Sequence, residues 1–188
     1  MALLTIGPRR CRRLALAAAL CALACALAAH AKVLAYQVEA VFLFNFTQFV
    51  DWPPASFPDG EAPIVIGILG DDPFGAYLDE TVRGEKVDRR PLVVRRWRHG
   101  EDIGDCHVLF VSRSESDRLD QIVEGLKGRS ILTVGDDGAF IRHGGMVRFV
   151  TESDRVKVHI NAQAVRASGL TISSKLLRVA EVVAAGDE

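Results

Sequence analysis

Beyond its first 31 residues the sequence has a single cysteine. Four occur in all, but Cys11, Cys21 and Cys25 lie in the N-terminal stretch, which leaves Cys106 alone. No disulfide can form within residues 32–188, so a fold there has to rest on burial. An excess of positive charge is also missing. The formal charge is −1, and it becomes −5 once the N-terminal arginines are set aside. A mildly acidic chain has no electrostatic reason to bind nucleic acid. Catalytic patterns are missing too. There is no Gly-x-Gly-x-x-Gly, no Gly-Lys-Ser/Thr loop, no Gly-x-Ser-x-Gly elbow and no His-Glu-x-x-His pair. His99, His107, His143 and His159 are never three or four residues apart. These absences argue against an enzyme, and no metal or cofactor is expected.

The longest apolar run is Leu14 to Ala28. It is preceded by Arg9, Arg10, Arg12 and Arg13 and followed by Ala29-His30-Ala31. A positive start, a short apolar run and a small-x-small site describe a secretory signal peptide cleaved after Ala31. The run is shorter than the ~20 residues a spanning helix needs, which makes an uncleaved anchor the second reading. Two segments are therefore expected, 1–31 as signal peptide and 32–188 as one secreted domain.

Along that domain, Val38, Val41, Phe42, Asn45, Phe46, Phe49 and Val50 recur at three- and four-residue spacing. The spacing predicts a helix over 34–51, stopped by Trp52-Pro53-Pro54. "PIVIGILG" at 63–70 is a continuous apolar run, as in a strand buried on both faces. "RPLVVRRW" (90–97), "CHVLFVS" (106–112) and "SILTVGDDG" (130–138) follow as further strands. A short helix is expected after Asp71-Asp72, and another after Ser114, with Ser114 as cap and Gly128 as stop. Residues 139–160 read as strands broken at Gly144-Gly145, with alternating Met146–Val150 and Arg155–Ile160 as an antiparallel hairpin. Two short helices, broken at Gly169, end the chain. The order predicts a single three-layer α/β domain. Its sheet is mainly parallel, an antiparallel C-terminal hairpin lies at the edge, and helices cover both faces.

Candidate sites are few. Asp71-Asp72 follows a strand where a phosphate loop would sit, but two acids there would repel a phosphate, and turn use is expected. Asp136-Asp137 in Gly-Asp-Asp-Gly has turn composition. Cys106 reads as a small buried side chain. A thiol activated by His107 is disfavoured, because neighbours on a strand face opposite ways. Ser173 reads as the cap of the last helix. The phenylalanines of 42–49 should be core, which leaves Trp52 and the loop after it as the expected exposed apolar feature and docking anchor.

Seven segments recur in a known order: "YQVEAVFLFNFTQFVDWP", "IGILGDDPFG", "CHVLFVS", "ILTVGD", "HGGMVRFV", "VKVHIN" and "SGLTISSKLLRVA". In this the chain resembles the YfiR family of bacterial periplasmic proteins over about 34–183. The resemblance implies a compact α/β domain, often dimeric, that regulates rather than catalyses. It implies a negative regulator that binds the periplasmic sensor part of an inner-membrane diguanylate cyclase, and so affects cyclic di-GMP and biofilm formation. It also implies an outer-membrane lipoprotein as a second partner. A family ligand pocket would draw on Asp51, Trp52, Ser173 and Ser174. The family disulfide that uses the cysteine matching Cys106 has its partner position near Gly67, and the second pair would fall in 137–148. This chain has no cysteine at either place, so no disulfide is expected. The alternative reading is a periplasmic small-molecule binding module that reports to a sensor or transporter. A pocket with convergent polar groups would favour that alternative, and a flat patch around Trp52 would favour the regulator.

Overall fold

The computed structural model describes residues 8–153 and 155–184, without the side chains of 8–20, 23 and 27–30. The first seven residues of the expected signal peptide, and Asp154 in the hairpin turn, lie outside the described residues. In chain order the elements are α1 (Pro8–Phe49), β1 (Val50–Asp51), β2 (Ile64–Leu69), α2 (Ala76–Val82), β3 (Lys86–Val87), β4 (Arg90–Trp97) and β5 (Val108–Val111). They continue with α3 (Leu119–Gly125), β6 (Leu132–Gly135), β7 (Val147–Glu152), β8 (Arg155–Ile160), α4 (Ala162–Ala167), β9 (Thr171–Ile172), α5 (Ser174–Leu177) and β10 (Glu181–Val182).

The main sheet has the order β10-β8-β7-β6-β5-β2-β4-β3. Strands β4, β2, β5, β6 and β7 run parallel, β7 and β8 form the antiparallel hairpin, and β3 turns back on β4. All six residues of β2 are buried, which is why its sequence shows no alternation. The two faces of the sheet carry separate cores. Ile64, Ile66, Ile68, Val108, Phe110, Leu132 and Val134 face α1 and α2, where Ala40, Leu43, Phe46 and Leu78 are buried. Val65, Leu69, Leu109 and Val111 pack with Leu119, Ile122 and Leu126 of the α3 region. This is the expected α/β domain with helices on both faces.

Several local expectations change. The helix expected over 34–51 is continuous from Pro8 and ends at Phe49. Val50 and Asp51 instead pair antiparallel with Ile172 and Thr171. By length and hydropathy Ala24–Phe49 could cross a membrane. Its second half, however, stacks Phe46 on Phe149 at 5.9 Å and buries Ala40, Leu43 and Phe46 fully. The cap expected at Ser114 falls on Ser112, because the Ser114 hydroxyl accepts from the Asp71 N–H at 2.9 Å. A 3-10 turn, Arg113–Arg118, precedes α3. Residues 139–143 are turns rather than a strand. The chain wraps the fully buried Phe140, and Gly145 N–H donates to its carbonyl at 2.9 Å. The third strand begins at Val108, so Cys106 and His107 lie in a bend before it. Outside the hairpin, β10 adds two residues parallel to β8.

Candidate functional site

The short β1–β9 ladder organises the expected binding residues. Asp51 is exposed and lies opposite Thr171. The Ser173 N–H donates to the Phe49 carbonyl at 2.8 Å, and the Ser173 hydroxyl caps α5 by accepting from Lys175 N–H at 3.3 Å. Ser174 is exposed on the first turn of α5. Asp51, Ser173 and Ser174 thus share one seam between the end of α1 and the start of α5.

Trp52 leaves that seam. It is half-buried against the main core, and its Nε1–H donates to the His107 carbonyl at 3.2 Å. Trp52 is thus only partly exposed, because its indole packs inside the domain. Its ring meets His107 edge-on at 5.9 Å. Phe57 stacks on the other side of that imidazole at 4.5 Å, and the Arg90 guanidinium lies 3.9 Å over Phe57. Arg90 also donates to the Asp59 and Ala62 carbonyls at 2.8 and 2.9 Å. Loop 52–62 is thereby fixed to the N-terminal ends of β2 and β5. Burial holds the His107 pKa below its ordinary value.

The exposed apolar surface is elsewhere. Leu34, Val38 and Val41 recur at four and three residues on α1 and are 58%, 40% and 39% exposed. At about 3.6 residues per turn this stripe lies on the side of α1 opposite the buried one made by Ala40, Leu43 and Phe46, so both sides of the helix carry apolar residues. The sequence carried that signal in the density of apolar residues from 33 to 46.

The remaining candidates resolve into structural roles. Asp72 accepts from the Phe74 and Gly75 N–H groups and pairs with Arg96 at 2.7 Å. Asp137 accepts from Ala139 N–H at 2.7 Å and from the Ser116 hydroxyl at 2.6 Å. Cys106 is buried, and burial pushes its thiol up to about 12. His107 is no base for it, since both imidazole nitrogens meet backbone groups, Val65 N–H and the Ser56 carbonyl. Gly67 aligns with Leu109 of β5, three residues from Cys106. At about 3.3 Å per residue that offset is roughly 10 Å, beyond disulfide reach. Among the described residues no three His, Cys, Asp or Glu side chains converge as metal ligands.

Asp136, by contrast, belongs to a pocket. A cavity of about 840 Å³ opens between α1 and the β7–β8 hairpin. Tyr36, Glu39, Arg113 and Asp136 line its polar part, and Leu34, Val38, Phe149 and Val156 are among its apolar walls. The Tyr36 hydroxyl donates to Asp136 Oδ2 at 3.1 Å. Burial, with help from the charge and hydrogen bond of Asp136, pushes the phenol up to about 12. Nothing in the sequence order links Glu39 to Asp136.

A family model described as YfiR/HmsC-like matches residues 36–181. No curated protein matches the chain. The family match runs from Tyr36 on α1 to Glu181 on β10 and takes in both cores and the β1–β9 seam, so this chain belongs to the YfiR/HmsC-like family.

Proposed function

We propose that this chain is a periplasmic regulator that restrains an inner-membrane diguanylate cyclase by binding the cyclase's periplasmic sensor domain. Family membership across 36–181 carries this reading, and an N-terminal apolar helix that fits a signal peptide supports the compartment. The role is regulatory, not catalytic. Restraint needs only a difference in affinity for two conformations of the sensor. Moving such an equilibrium from 1:99 to 99:1 takes roughly 5.5 kcal/mol of preference. The Leu34–Val38–Val41 stripe and the Asp51–Ser173–Ser174 seam supply an apolar face and a polar neighbour for docking. An outer-membrane lipoprotein that competes for the same protein would relieve restraint by mass action.

Deleting the gene in its native host and measuring cellular cyclic di-GMP tests the reading. A rise is expected, together with recovery of a membrane cyclase on tagged protein after periplasmic cross-linking. Unchanged cyclic di-GMP would overturn it.

The cavity beside Glu39 favours a second reading, a solute-binding module that reports to a membrane sensor. It has the concave form and convergent polar groups of small-molecule sites.

A further inference from the structure

Two acceptor atoms in the α1–β7 cavity lack donors. Glu39 is 3% exposed and Asp136 is 8% exposed, yet both belong to the cavity lining. Among the described residues, neither Glu39 Oε2 nor Asp136 Oδ1 has a hydrogen-bond partner. Buried acceptors without donors cost folding free energy, so a native chain that carries two in one cavity invites a ligand that supplies donors.

The cations nearby are engaged elsewhere. Arg113 donates to the Asp136 carbonyl and lies 3.7 Å from Oδ2, on the side of the carboxyl that Tyr36 also uses. Arg148 donates to the Gly138 carbonyl. Lys32 is exposed and sits 5.7 Å over the Tyr36 ring. These groups, from α1, β7 and the loops after β5 and β6, are the charged residues lining the cavity.

We propose that this cavity binds small organic amines, whose ammonium group donates to Glu39 Oε2 and Asp136 Oδ1 while an apolar tail lies along Leu34, Val38, Phe149 and Val156. This rests on the solute-module reading and names its ligand class. An ammonium has three donors and no acceptor, which complements the Glu39 and Asp136 oxygens. An anion would face the Asp136 carboxylate and could not take the place of the Glu39 proton, and a neutral apolar molecule would leave Asp136 Oδ1 unmet.

Binding has a proton balance. Burial, and then the charge of Asp136, push Glu39 up to about 8, so the empty site holds a proton on this carboxyl at neutral pH. Entry of the ammonium expels that proton to solvent and leaves an ion pair in its place. No net charge is added to the cavity. Affinity should therefore rise by roughly tenfold from pH 6 to pH 7, and more slowly toward pH 8.5.

The test uses purified protein, with 2-phenylethylamine, 2-phenylethanol and phenylacetate as probes in isothermal titration calorimetry. The expected result is saturable binding of the amine, at least tenfold tighter than either analogue, with proton release seen as a dependence on buffer ionisation enthalpy. Glu39→Gln should weaken amine binding at least tenfold and abolish its pH dependence, while leaving the melting temperature intact at pH 6. Val38→Trp, at the exposed rim, should block binding by filling the mouth. Tighter binding of the alcohol or the acid, lost in Val38→Trp, would overturn the amine assignment while the solute-module reading stands. No binding of any probe would overturn both. Amine binding that Glu39→Gln leaves unchanged would overturn the proposal as well.

Discussion

The Nδ1 atom of His107 accepts a hydrogen bond from the backbone N–H of Val65 at 3.0 Å. That contact fixes the tautomer. Nδ1 is bare, and the proton sits on Nε2, which donates to the Ser56 carbonyl at 3.3 Å. The residue before β5 thus ties the edge of β2 to loop 52–62 through one neutral ring.

Protonation of His107 would place a second N–H against that of Val65, and burial already disfavours the charge. The unfolded chain takes up this proton near the ordinary value of 6.5 and the folded chain only at lower pH. Between the two values the unfolded state binds more protons, so stability falls as pH falls. The contribution is complete above pH 6.5 and is lost as pH drops through the folded value. Glu39 acts in the opposite sense. Its folded value near 8 exceeds the ordinary 4.5, so its contribution shrinks as pH rises between them. Urea titrations in the Glu39→Gln background should expose the His107 slope below pH 6.5. His107→Leu in that background should flatten it and cost about 1–3 kcal/mol by stranding the Val65 N–H. A slope that persists in the double variant would exclude His107 as its source.

Gly67 leaves room for an aromatic ring. A Cβ built at this position would lie 2.5 Å from Trp97 Cζ3 and 3.0 Å from Leu109 Cδ1. Gly67→Ala should destabilise by about 1–3 kcal/mol through overpacking, although alanine suits a strand better than glycine. Trp97→Leu should remove most of that penalty. A double-mutant cycle by chemical denaturation measures the coupling, and a coupling near zero would show that the β2–β4 contact yields at no cost.

Cys106 belongs to the core on the α3 side. Its thiol should stay unreactive toward a disulfide reagent at pH 8 in the folded protein and react at once in denaturant, since burial pushes it to about 12. Cys106→Ser should keep the fold and lose about 1–3 kcal/mol by burying a hydroxyl among apolar neighbours. Rapid labelling of the folded protein would contradict this.

What the sequence disclosed follows from how much surrounding structure each signal needs. The double-sided burial of β2 shows as an unbroken apolar run, and the hairpin shows as alternation, because both patterns are local. Strands β3 and β10, at two residues each, are too short to carry a period. The continuity of α1 through residues 29–33 was not legible, because His30 and Lys32 interrupt the apolar pattern while the helix itself runs on from Pro8 to Phe49. Ser114 carried a good cap signature, yet its hydroxyl is taken by Asp71, 43 residues away. Glu39 stands between Val38 and Ala40 like any helix-surface acid, and only its burial in the fold, and then the charge of Asp136, set it apart. Trp52 had the composition of an interface anchor, but the carbonyl that holds it lies 55 residues downstream.

The docking prediction turns on Val41. It is 39% exposed, lies on the apolar stripe of α1, and does not line the Glu39 cavity. Val41→Glu should therefore leave amine binding unchanged and alter stability by no more than about 0.5 kcal/mol, as exposed substitutions do. Placed in the centre of an apolar contact, however, the same charge loses its water without gaining a partner, which costs several kcal/mol of binding. In cells, Val41→Glu should raise cyclic di-GMP as gene deletion does, with normal periplasmic levels of the protein. Asp51→Arg tests the seam beside it, where reversal of an exposed charge should act mainly on the association rate and on its salt dependence. Full restraint by Val41→Glu, with Asp51→Arg released, would move the docking surface from the α1 stripe to the β1–β9 seam. Full restraint by both would place the cyclase contact on neither.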